Sequence, residues 1–241
     1  MIEIDLIKKH GKKALGMTEH PHAQRTWRSR VGEILLEIGI IVFAITLSIW
    51  LHSWQEHRHD QARERQFLLG LQQDLAEDLQ EIKADSAALM RQMRGLRYFK
   101  NLAAEPLRAD SISYYGSTLT NLTWLTPNDS RFQGLKSSGA LGIVENEELL
   151  NLILTYYERT TTNLTANART FSEYKRQTIG PYLDLHLEPD RRNLLAVMQR
   201  VPMQNYLAHG EGIPVIIGYY HETGQQARKL RRRIAAYLRG E

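Results

Sequence analysis

The sequence predicts an all-α protein, with one N-terminal transmembrane helix that continues into a long stalk helix and an extramembrane helical bundle after it. Three observations predict this. Residues 34–54 are the only sustained apolar run in the 241-residue chain. Leu75, Leu79, Ile82, Ser86, Leu89, Met93 and Leu96 recur in alternating steps of four and three, a heptad seam. No alternating strand of convincing length occurs, since Val215-Ile216-Ile217 is β-branched but short and follows Pro214.

Taken in order, residues 1–31 read as a basic cytoplasmic tail, 32–54 as the transmembrane helix, and 55–241 as a periplasmic α-helical domain. A spanning helix needs about 20 mostly apolar residues to cover roughly 30 Å of hydrocarbon. Residues 34–54 supply that length, with Gly39, Thr46, Ser48, His52 and Ser53 the small or polar exceptions. Glu33 and Glu37 lie four residues apart on one helix face at the start of the run, where a carboxylate reaches back to the interface at far lower cost than at mid-membrane. Trp27 stands before the run and Trp50 and Trp54 at its far end, where indoles collect at the two membrane surfaces. Gly39, Ala44 and Ser48 are small residues that would let two spans approach closely. Lys8, Lys9, Lys12, Lys13, Arg25, Arg28 and Arg30 precede the run, against Arg58, Arg63 and Arg65 soon after it. The positive-inside rule therefore places the N-terminus in the cytoplasm and, in a Gram-negative inner membrane, the rest in the periplasm. The chain has no cysteine, which suits either redox compartment.

From Gln55 to about Asn101 the pattern is helical and free of proline, with a heptad-patterned stalk at about 67–100. Gly70 and residues 57–60 are the places where it could bend. Glu105-Pro106 ends it. Asp110 or Ser111 caps a short helix carrying Ile112, Tyr115 and Leu119. Thr126-Pro127-Asn128-Asp129 reads as a helix start, with Phe132 and Leu135 inward and a stop near Ser138-Gly139. Asn146-Glu147-Glu148 opens a helix of more than thirty residues that Gly180-Pro181 closes. Helices over 190–200, 202–209 and 214–238 follow, the last with Ile213, Ile217, Tyr220, Ala227, Leu230 and Ile234 inward.

Three stretches carry a resemblance. Gly32-Glu33-Ile34 opens the apolar run, and Trp54-Gln55-Glu56 follows it with Arg58, Glu64, Phe67-Leu68, Leu71 and Asp74-Leu75 beyond. The third is Phe132-x-x-Leu135-x-x-Ser138-Gly139-x-Leu141-x-x-Val144-x-Asn146-x-x-Leu149, ending in Tyr156-Tyr157. Together they resemble a family of bacterial single-pass membrane-anchored helical proteins catalogued as a domain of unknown function. The acidic Glu37 stands where that family is usually apolar. The resemblance implies topology and supplies no catalytic residues.

Composition restricts function further. The formal net charge is +4, and residues 55–241 hold 24 basic against 22 acidic residues, interleaved, so no nucleic-acid partner is expected. Lys229, Arg231, Arg232 and Arg233 form the one basic cluster, read as a solvated face that complements a helix C-terminus, with docking on anionic lipid as the competing reading. His57-Arg58-His59-Asp60 sets two histidines on different helix faces, and His221-Glu222 lacks the second histidine of a zinc-protease helix. Ser137-Ser138-Gly139 has no strand before it, and Gly134, Gly139 and Gly142 are not followed by a phosphate-loop lysine. No catalytic, cofactor or metal site is therefore assigned. The expected function is a non-enzymatic inner-membrane protein whose periplasmic domain mediates protein–protein interaction or self-association, with the lipid bilayer and a homo-oligomer or membrane-protein partner as its contacts. Leu75, Leu79, Ile82, Leu89, Met93 and Leu96 are the candidates for stalk association. The alternative is a small-ligand-binding or catalytic helical domain that uses the paired tyrosines and residues 209–221.

Overall fold

A computed structural model describes residues 27–102 and 109–241, with side chains from residue 35 onward except those of 109, 110 and 113. Trp27, Glu33 and the cap at Asp110 thus lie outside the described side chains, and Glu105-Pro106 outside the described backbone. Every regular element among the described residues is helical: α1 (Trp27–Lys100), α2 (Ala109–Gly116) with a 3₁₀ turn at Ser117–Leu119, α3 (Ser130–Ser137), α4 (Glu147–Leu154), a π-helical stretch Thr155–Thr160, α5 (Thr161–Gln177), α6 (Ile179–His186), α7 (Leu194–Met198), α8 (Val201–Ala208) and α9 (Ile213–Arg239). The chain divides into two units, one ending at Arg58 and one covering His59–Glu241.

In the first unit, residues 35–58 are helical and every one of them is exposed, including Leu36, Phe43 and Ile49. This is the one helix among the described residues long and apolar enough to cross a membrane. Thr46 donates its hydroxyl to the Val42 carbonyl at 2.7 Å, so its polar atom is satisfied within the helix.

The second unit is built on residues 59–100 of α1, which run without interruption through Gly70. Its buried face differs from the predicted seam by one row. Leu75, Ile82, Leu89 and Leu96 are buried as that row requires, whereas Leu79, Ser86 and Met93 are only half-buried. The second inward row is Glu64, Leu71, Asp78, Asp85, Gln92 and Phe99, of which Asp85 is half-buried and the rest buried. Four of these six side chains are polar, which hid the row from a hydropathy reading. Each is held by a group from elsewhere in the chain. The Tyr237 hydroxyl donates to Glu64 at 3.1 Å, the Tyr156 hydroxyl to Asp78 at 2.8 Å and the Tyr220 hydroxyl to Asp85 at 2.8 Å. Gln92 donates to Thr123 Oγ1 at 2.7 Å.

Two apolar cores line this face. One joins Phe67, Leu71 and Leu75 to Phe132, Leu149, Ile153, Tyr157, Leu230 and Ile234. The other joins Ile82, Leu89 and Leu96 to Leu164, Val197, Met203, Leu207, Ile213 and Tyr220. Asp78 lies between Leu75 of the first and Ile82 of the second.

Four local departures from the expected elements have physical causes. Thr126 and Pro127 do not start a helix, because the Thr126 N–H donates to Glu81 at 2.8 Å and the Asn128 N–H to Asp78 at 2.8 Å. These bonds hold the segment against α1, and α3 begins only at Ser130. The long helix expected after Asn146 widens at Thr155–Thr160, which lets two successive residues face inward: Tyr156 toward Asp78 and Tyr157 stacked on Phe132 at 4.8 Å. It is then interrupted at Thr178, one turn before Pro181, whose ring crowds the Gln177 carbonyl and whose missing N–H cannot bond to it. Pro181 sits in the first turn of α6, where its missing N–H costs nothing. Residues 190–193 are a turn, with Arg191 at φ 58° and Asn193 clamping the Glu188 N–H and His186 carbonyl, so α7 starts at Leu194. By contrast, Asn146 caps α4 by accepting from the Leu149 N–H at 2.8 Å, and Gly139 after α3 adopts φ 70°.

A close approach depends on Gly95. A Cβ there would lie 2.0 Å from Thr118 Oγ1. Gly95→Ala is expected to destabilise the domain by about 2 kcal/mol, the cost of overpacking a filled site, read as a lower urea midpoint.

Candidate functional site

The second unit carries a groove of about 460 Å³ between residues 79–90 of α1 and 217–228 of α9. It opens where the two cores fail to merge. On α9 that level is occupied by Thr223 and Gly224, both buried, and Gly224 has no side chain to fill the space beside Ile82. Leu79, Ile82, Ala87, Met90 and Ile217 form an apolar floor and walls. Lys83, His221 and Arg228 stand at the rim, and no lining residue is acidic. The half-buried Leu79 and Ser86 of the predicted seam thus line the groove, and Leu79 also packs against the first core.

Tyr220 also lines the groove and points its hydroxyl at Asp85. Burial raises the Asp85 carboxyl above its ordinary value, and the Tyr220 hydrogen bond partly offsets this. Burial likewise raises Asp78, although the Asn128 amide and the Tyr156 hydroxyl hold it back. Tyr220→Phe is expected to shift the Asp85 titration further upward, as read by carboxyl-carbon NMR, because the donor that favours the charged form is gone.

A second cluster surrounds Lys175, which is buried on α5. Its Nζ donates to Gln92 Oε1 at 2.9 Å, to the Thr118 carbonyl at 2.8 Å and to the Asn121 carbonyl. Ser172, one turn earlier, accepts from the Thr123 N–H and donates to the Thr123 carbonyl, so residues 118–123 are tied to both α1 and α5. Burial pushes the ammonium down to about 7. A lysine so perturbed is a nucleophile candidate in general. Here it is 1 % exposed, with all three N–H groups directed at oxygens, so it serves as a clamp on the loop.

The structure places the predicted site residues apart. Glu37, Trp50 and Trp54 are exposed on the apolar helix, and Gly39, Ala44 and Ser48 are exposed along it. The Arg58 guanidinium lies 5.0 Å from the Trp54 ring centroid. Leu75, Ile82, Leu89 and Leu96 are buried within the chain itself, while Leu79 and Met93 are half-buried. The tyrosine pairs do not converge on one cavity. Tyr114 is exposed and packs edge-on against Tyr115, Tyr156 and Tyr157 belong to a core, and Tyr220 alone reaches the groove. Lys175, Asp78, Asp85 and the groove escape the sequence reading, because a lone lysine or aspartate inside a charged segment has no local signature of burial.

No protein-family model matches the chain, and no curated protein and no solved structure matches it.

Proposed function

We propose that the chain is a single-pass inner-membrane protein of the bacterial family its motifs resemble, with its basic N-terminal segment in the cytoplasm and a non-enzymatic periplasmic domain that binds other proteins or copies of itself. One observation carries this reading. Residues 35–54 form a largely apolar helix in which every residue is exposed, with Leu36 at 66 % and Phe43 at 68 % exposure. Soluble monomers rarely expose contiguous apolar patches of more than a few hundred Å², whereas a bilayer core is a natural solvent for such a helix. Thr46 satisfied by its own helix, and the Trp54–Arg58 stack at the end of the run, fit a span that meets an interface. Gly39, Ala44 and Ser48 offer a small-residue path for span pairing.

The test combines alkaline carbonate extraction with reporters fused after Glu241. Retention in the pellet with a reporter active only outside the cytoplasm supports the reading. A carbonate-soluble chain, or a reporter active in the cytoplasm, defeats the anchor or the orientation. Crosslinking in native membranes that recovers only monomer and no partner would defeat the interaction role.

A further inference from the structure

We infer that the groove between α1 and α9 binds a free, single-chain anionic amphiphile of the long-chain fatty-acid class, with its acyl chain along the groove and its carboxylate at Arg228 and Arg232. Three features carry this. The first is the division of chemistry along the site. The groove between residues 79–90 and 217–228 is floored by aliphatic side chains, and at Arg228 it meets a second, shallow pocket formed by Gln225, Gln226, Arg228, Lys229 and Arg232. An apolar slot that ends in a cationic pocket matches a molecule with a greasy tail and an acidic head.

The second feature is unbalanced charge. No residue lining either pocket is acidic, and among the described residues Lys83, Arg228, Lys229 and Arg232 form no ion pair. Their neighbour Arg233 does, to Glu148 at 2.6 Å. Arg228 and Arg232 are one helical turn apart and both line the second pocket, and each presents the forked donors that suit a carboxylate.

The third feature is size. Residues 79–90 cover about 16 Å of helix axis. The groove encloses about 460 Å³ along that length. That length suits an extended acyl chain. The groove's volume falls within the range of small-molecule sites.

This inference goes beyond the anchoring role and does not depend on it, since the groove lies wholly within the second unit. The experiment is photolabelling of the full-length protein, in phosphatidylcholine nanodiscs and again in detergent micelles, with a diazirine-bearing hexadecanoate, mapped by peptide mass spectrometry. The expected result is label on peptides covering 79–90 and 217–228, displaced by unlabelled hexadecanoate and not by hexadecanol. The double variant Arg228→Glu/Arg232→Glu should lower labelling at least tenfold. Ala87→Trp, at an exposed groove position, should do the same by filling the slot, with an unchanged urea midpoint as the control for folding. Label confined to residues 35–54 overturns the inference. So does equal displacement by hexadecanol, which would leave an apolar slot without head-group recognition. Displacement by adding an anionic phospholipid to the nanodisc would assign the cations to the bilayer surface instead, and a crosslink across the groove to a second polypeptide would assign it to a protein.

Discussion

Lys175→Met is expected to abolish a rise in stability that the wild-type chain shows between about pH 7.5 and 9.5 in urea titrations. Burial holds the folded-state ammonium down to about 7, whereas in the unfolded chain the group keeps its ordinary value of 10.5. Between those values the unfolded state binds the proton that the folded state has released, so stability grows with pH, by up to about 1.4 kcal/mol per pH unit. The contribution is fully present above the unfolded value and is lost as pH falls through the folded one. Methionine keeps most of the stem but has no proton to exchange, so the slope vanishes. It also removes the amine from among Gln92 Oε1 and the Thr118 and Asn121 carbonyls, to two of which the neutral form still donates. We expect a loss of about 3 kcal/mol at the alkaline end, in the range for burying acceptors unsatisfied. A variant with the wild-type slope would show that the ammonium is not buried. The carboxylates act in the opposite sense. Asp78 and Asp85 are raised by burial, so their contribution is present below the ordinary carboxylate range and is lost as pH climbs through their raised values.

The second large effect concerns the apolar helix. Ile41→Arg combined with Ile45→Arg is expected to move the protein out of the carbonate-resistant membrane fraction. Each arginine near the middle of a span costs on the order of 3 kcal/mol on insertion scales, and with the lost isoleucines the pair amounts to about 7 kcal/mol. The same substitutions separate the two environments cleanly. Ile41 and Ile45 are 52 % and 55 % exposed, so in water arginines there would be harmless or would improve solubility. Loss of membrane retention therefore reports on lipid and not on folding. Unchanged retention would remove the main support for the anchor.

The seam of α1 shows how much was legible beforehand. Leu75, Ile82, Leu89 and Leu96 are apolar at seven-residue spacing and are buried. In the sequence the neighbouring row runs through Leu79, Ser86 and Met93, because these are more apolar than Asp78, Asp85 and Gln92. The chain buries Asp78 and Gln92 outright and Asp85 in part, since each finds a hydrogen-bonding partner, and a polar group so paired no longer carries the penalty that keeps it at the surface. The displaced half-row left partly outside contributes Leu79 and Ser86 to the groove wall. The segment at Thr126-Pro127 is a smaller case of the same effect. Its local signals favour a helix start, and two amide bonds to α1 carboxylates override them.

The amino-acid order alone determined that this chain is helical, that one stretch near its start is apolar enough to cross a bilayer, and that Asn146 opens a helix. Those properties depend on neighbours within a few residues. Tertiary structure alone decided which face of α1 turns inward, that Lys175 is enclosed, and that a groove opens where Gly224 meets Ile82. These depend on partners distant in sequence, 78 residues apart for Asp78 and Tyr156, 83 for Gln92 and Lys175, and 135 for Asp85 and Tyr220. A buried polar side chain is stable only where such a partner arrives, and no local pattern records the arrival.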